Sequence, residues 1–66
     1  MNTLKQIRKK KRLSQCALAA MAGTEQATIS RLEHDLIERP AWDLVARLSM
    51  ALDVRPEKIF PVMMGE

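Results

Sequence analysis

"LSQCALAAMAGTEQATISRLEH", residues 13–34, is the stretch that decides the fold. Ser14 is a good N-cap for a helix over residues 15–22. Gly23 stands where a left-handed residue closes such a helix. A second helix is expected over residues 25–34, with Thr24 or Glu25 as its N-cap. A turn of only about three residues makes two helices cross steeply and touch near their junction. Contact that close requires a small inner side chain, which Ala19 supplies. Leu18, Ala22, Ile29 and Leu32 then form the shared apolar face of a helix-turn-helix unit.

The outer face of the second helix carries the chemistry. At about 100° per residue, with Gln26 at zero, Ser30 falls near 40°, Ala27 near 100° and Arg31 near 140°. Ile29 near 300° and Leu32 near 240° lie on the opposite side by the same rule. The polar arc suits an edge-on reader of DNA bases. Gln bonds bidentately to adenine, Arg to guanine, Ala touches a thymine methyl and Ser bonds several edges. Small residues between them let the helix approach closely. The bland alternative is an ordinary amphipathic helix with a solvated face; the turn geometry and a basic N-terminal segment weigh against it.

Outward from this unit the chain reads as all-α. Ala, Leu, Met, Arg, Lys and Glu dominate, all good helix formers. A first helix is expected over residues 3–11, with Leu4 and Ile7 facing inward and Leu13 anchoring the connection. After the loop "DLIERP", residues 35–40, a fourth helix over 41–52 repeats Ala41, Val45, Leu48 and Leu52 at helical spacing, with Trp42 beside them. Pro56 suits the first turn of a short fifth helix over 56–60, and Pro61 stops it. The expectation is one compact five-helix domain, residues 1–61, followed by a short tail, 62–66.

Sixty-six residues bury a marginal core. One Cys and one His exclude a disulfide framework or a zinc site within one chain. No cofactor or metal is expected. The lone thiol of Cys16 is read as inert and fits a reducing cytosol. Six positive charges, Lys5, Arg8, Lys9, Lys10, Lys11 and Arg12, fall in the first twelve residues, and the rest of the chain nets −3. That asymmetry suggests an anionic partner near the N-terminal segment. The run after it is too short and too interrupted, by Ser14 and Gln15, for a signal peptide. Nothing approaches the roughly 20 apolar residues of a membrane span. The chain is therefore expected to be soluble and cytoplasmic. No set of nucleophile, base and orienting acid stands out, and no Gly-rich phosphate loop, so an enzyme is not expected.

Residues 13–34 closely resemble the Cro and repressor (XRE-like) helix-turn-helix family of lambdoid phages and many bacterial regulators. The family pattern runs approximately L-S-Q-x-x-L-A-x-x-x-G-x-x-x-x-x-I-S-x-x-E. The resemblance extends from Leu4 to Phe60, since "LVARLSMALDVRPEKIF", residues 44–60, is similar to the family's last two helices. It implies a repressor-like fold whose third helix reads the major groove. It further implies base-reading roles for Gln26, Ala27 and Arg31, joined by Ser30 from the arc above. Gln15 matches a phosphate-binding glutamine, and Arg39 matches the loop that tracks a phosphate strand. Arg8 and Glu33 match an interhelical salt bridge, and Arg8 is also a candidate phosphate contact. His34 either donates to a phosphate or caps the last carbonyls of its helix.

The sequence departs from the family at several points. Glu25 replaces a small N-capping residue and brings a negative charge near the groove. Thr24 and Ala22 replace larger apolar residues. Arg12 and Asp53 stand where Gly is frequent at helix ends, which implies backbone strain, and His34-Asp35 replaces a common Asn-Gly. Asp35 and Glu38 weaken the loop as a phosphate binder. Ala41 replaces a basic residue, so no minor-groove insertion is expected.

Two functions follow as expectations. The first is a small sequence-specific regulator of double-stranded DNA, phage Cro/repressor-like or restriction-modification controller-like, acting as a homodimer. The second is an antitoxin or adaptor whose main partner is a protein, for which Leu36, Ile37 and the Met63-Met64 tail are the relevant residues. Trp42 is expected in the core or at an interface rim.

Overall fold

The computed structural model describes residues 2–37 and 39–61. Glu38 and the tail with Met63 and Met64 lie outside the described residues. Five helices follow in order: α1 (Leu4–Lys10), α2 (Gln15–Ala22), α3 (Gln26–Glu33), α4 (Trp42–Leu52) and α5 (Pro56–Ile59). No strand occurs among the described residues. The expected elements are all present, with ends shifted inward by no more than one residue, where helices fray.

One core unites the five helices. Leu4, Leu18, Ile29, Leu32, Leu48, Leu52 and Ile59 are fully buried, with Ala19, Ala22, Val45 and Phe60 around them. Each such large side chain contributes about 1.5 to 3 kcal/mol when removed from water. Ala19 and Ala22 let α2 approach its neighbours, and α2 packs against both α3 and α4. Ile7, Leu13 and Ile37 pack at the core's margin. Of the two apolar loop residues, Ile37 turns inward, whereas Leu36 is 71% exposed.

In the fourth helix one expectation needs correction and another is narrowed. Ala41 is exposed because it is the N-cap, with φ −59° and ψ 142°, so helical phase does not extend to it. Trp42, the first residue of α4, is 55% exposed, which removes the core and leaves the interface rim of the two places expected for it.

The first four helices end in the same way. Arg12, Gly23, Asp35 and Asp53 have φ of 59°, 67°, 56° and 56°. At each end the following N–H reaches back across the turn: Leu13 to the Arg8 carbonyl, Thr24 to Ala19, Leu36 to Arg31 and Val54 to Ser49, at 2.9–3.1 Å. This is the Schellman motif, which satisfies carbonyls that a helix end leaves open. Three of its four left-handed positions hold side chains that must pay for that conformation. At Gly23 an added Cβ would also lie 3.3 Å from Nη1 of Arg47.

The segment before α1 closes the domain. The Asn2 side-chain amide donates to the Leu32 carbonyl at 2.8 Å and to Asp35 Oδ1 at 2.9 Å, while its oxygen accepts the Leu4 N–H at 3.0 Å. Thr3 donates its N–H to the Ile59 carbonyl at 3.1 Å and its hydroxyl to the Lys58 carbonyl. Asn2 and Thr3 thereby tie the start of α1 to the end of α3 and to α5.

Gly at residue 12 is expected to relieve strain, and Ala at residue 23 to create it. Urea unfolding should show Arg12→Gly more stable by roughly 0.5–1 kcal/mol and Gly23→Ala less stable by about 1 kcal/mol. Equal midpoints for the two variants would remove the left-handed ends as a source of strain.

Candidate nucleic-acid interface

The short turn between α2 and α3 sets the geometry. Ser14 Oγ accepts the Ala17 N–H at 2.9 Å and starts α2, while Gly23 ends it in the left-handed conformation. Glu25 begins α3 with φ −100° and ψ 151°, and its side chain makes no capping bond. Arg47 of α4 holds the turn: Nη1 donates to the Gly23 carbonyl at 3.3 Å, and the guanidinium pairs with Asp43 at 3.4 Å. Sequence reading did not single out Arg47. Its only signal is the Asp43-Arg47 spacing of one helical turn.

Ile29 and Leu32 are fully buried, which turns the opposite arc of α3 outward. Gln26, Ala27 and Arg31 are exposed, and Ser30 is half-buried beside them. Arg31 has no ion-pair partner among the described residues.

Behind this arc runs a chain of charged and amide groups. Arg8 Nε donates to Glu33 Oε2 at 2.5 Å, and its Nη2 donates to Oε1 at 3.2 Å. Nη1 of Arg8 donates to the Leu13 carbonyl at 2.6 Å. Gln15 Nε2 donates to Glu33 Oε1 at 3.0 Å, and Gln26 Nε2 donates to Gln15 Oε1 at 2.6 Å. The direction of this chain follows from Glu33. An ionised carboxylate only accepts, so Gln15 must turn its NH₂ toward Glu33 and its oxygen toward Gln26. That oxygen accepts from Gln26. One Gln26 N–H is thus fixed, while its oxygen and second N–H remain available to a base edge.

Burial acts to raise the pKa of Glu33. Hydrogen bonds from Arg8 and Gln15 and the positive charges of Arg8 and Lys5 outweigh it, and hold the carboxyl below its ordinary value of 4.5. The pair is well enclosed, with side-chain exposures of 9% for Arg8 and 1% for Glu33.

Arg8 lies inside the domain, so the structure places it as a brace with little surface to offer a phosphate. His34 is exposed, and its Nδ1 meets the Ser30 carbonyl at 2.8 Å, a contact of the helix-capping kind. Arg39 is exposed in the loop after α3, and Cys16 is exposed on the first turn of α2. No cluster of three potential metal ligands occurs among the described residues, and no described helix is long and apolar enough to cross a membrane.

The family model described as a Cro/C1-type HTH DNA-binding domain matches residues 3–62. Comparison with curated proteins finds no match.

Glu33→Gln tests the chain of bonds. Because the folded pKa is lowered, Glu33 stabilises the fold above the ordinary carboxylate value, and this contribution is lost as pH falls through the folded value. At neutral pH the variant should lose roughly 1–3 kcal/mol, with a shallower decline into acid. Urea midpoints measured from about pH 3 to 7 read both effects. An unchanged acid slope would show that Glu33 does not carry it.

Proposed function

Because the chain belongs to the Cro/C1-type helix-turn-helix DNA-binding family, we propose that it is a small sequence-specific transcriptional regulator, with α3 lying in the major groove. The observation that carries this reading is the outward arc of Gln26, Ala27, Ser30 and Arg31, braced from behind through Gln15 and Glu33. Arg31 takes a guanine and Gln26 an adenine, each bidentately; Ala27 touches a thymine methyl and Ser30 bonds an adjacent edge. Gln15, at the start of α2, holds a phosphate with its remaining N–H, helped by the N-terminal amides of the helix. Arg39 holds another from the loop. His34 donates Nδ1–H to its own helix, so only its imidazolium form donates from Nε2 to a phosphate.

One domain this small contacts few bases. A C₂ homodimer places two α3 helices about 34 Å apart on a near-palindromic operator. The protein acts in the cytoplasm, without catalysis or a cofactor, in the manner of a phage Cro/repressor or a restriction-modification controller. A second reading, an antitoxin or adaptor with a protein partner, draws support from the exposure of Leu36 and Trp42. Selection of random duplex DNA on the purified protein separates the two. A symmetric motif with half-sites one turn apart is the regulator's result; no enrichment favours the partner-dependent reading.

On the selected operator, Arg31→Ala should cost about 1 to 3 kcal/mol and relax one base position. A uniform loss across sequences would make Arg31 a phosphate contact instead. Gln15→Ala should weaken all DNA about equally, and a changed base preference would contradict its phosphate role. With about eight phosphates neutralised per dimer, log K should fall with log salt at a slope near −7. Filter binding across salt concentrations reads that slope; a flat line removes the electrostatic part of the reading.

A further inference from the structure

The N-terminal cations do not form one DNA-facing stripe. Arg8 points inward, and Lys5 lies close enough to Glu33 to act on its charge. Lys10 and Lys11, in contrast, line a groove of about 720 Å³ together with Ile7, Met50, Val54 and Lys58. Its remaining walls are Ser49, Asp53 and Arg55. All of these residues belong to α1, α4, α5 and the connections next to them, and none to α2 or α3.

The floor is apolar and open, with Met50 80% exposed. The rim is cationic. Arg55 is partly matched by Glu57 at 3.8 Å, and Asp53 supplies one negative charge. Lys10, Lys11 and Lys58 have no ion-pair partner among the described residues. Lysine stems extend an apolar floor while their ammonium groups stay in water.

We propose that this groove docks an acidic amphipathic segment of a partner protein, whose apolar side chains cover Ile7, Met50 and Val54 while its carboxylates meet Lys10, Lys11 and Lys58. Charge complementarity selects this occupant. A second copy of the chain would bring the same cations against one another. A bare phosphate or nucleic acid backbone would leave the apolar floor uncovered. The site does not depend on the DNA reading, and the residues assigned to DNA lie outside it.

The test is a heteronuclear NMR titration of the full chain with a synthetic helical peptide carrying Glu on one face and Leu on the other. Shifts are expected at Ile7, Lys10, Met50, Val54 and Lys58, with α3 unmoved. A matching peptide with Lys in place of Glu should not bind. Lys10→Glu combined with Lys58→Glu should weaken the Glu peptide at least about tenfold, the equivalent of two modest ion pairs. Met50→Asp, at an exposed position that leaves the fold undisturbed, should do the same while operator affinity stays unchanged.

Four results would overturn the proposal. These are equal binding of both peptides, shifts centred on the α3 arc, equal shifts of the groove residues by pyrophosphate, and contacts in the free protein from the groove to residues 62–66 or to a second copy.

Discussion

The carboxylate of Glu33 is the point on which the rest of the domain depends. Burying it costs free energy unless every lone pair finds a donor. Arg8 meets it with two N–H groups and Gln15 with one, and Arg8 in turn gives a further N–H to the Leu13 carbonyl. That carbonyl lies just beyond the left-handed Arg12, so the strained end of α1 helps to complete the network. Four parts of the chain, α1, the α1–α2 connection, α2 and α3, thus share one set of hydrogen bonds. No buried side-chain polar atom lacks a partner among the described residues. A network satisfied this fully fixes one arrangement of helices, where apolar packing alone tolerates several.

The same charge reaches the surface. Because Glu33 only accepts, it sets the direction of the Gln15 amide, and Gln15 sets that of Gln26. On the proposed reading of Gln26, a side chain that meets a base is therefore ordered in the free protein. The entropy of fixing a long flexible side chain is already spent in the free protein, which favours the correct base over a mismatch without any added contact.

The sequence made some of this legible and left other parts hidden, for definable reasons. Apolar spacing located α1, α3 and α4, Ser14 and Gly23 marked the ends of α2, and Pro56 and Pro61 those of α5, because periodicity and end chemistry are local. The left-handed Arg12 and Asp53 were visible only as departures from a glycine pattern. Asn2 and Arg47 were not legible. Each secures the fold through a side-chain bond to a backbone carbonyl 30 or 24 residues away, and such a bond leaves no periodic trace. Trp42 was legible only as a choice between core and interface rim; α4 begins at that residue and leaves it exposed, which removes the core. The outward arc of α3 was legible because two buried residues, Ile29 and Leu32, fix the phase of the whole helix.

Net charge was the least informative feature once the helices formed. Six cations in twelve residues look like one basic block in sequence. A helix distributes such a block around its axis, and burial removes a member from the surface. Arg8 becomes an internal brace, Lys5 acts on Glu33, and Lys10 and Lys11 face the groove beside α4 and α5. A net positive field favours the approach of a polyanion, since steering depends on summed charge. Register does not, because it depends on donors that reach particular phosphates. On the proposed reading those donors are amides and a few side chains close to α3, so attraction and positioning fall to different residues. On that reading the cationic groove, lined by none of the residues assigned to DNA, stays clear of it.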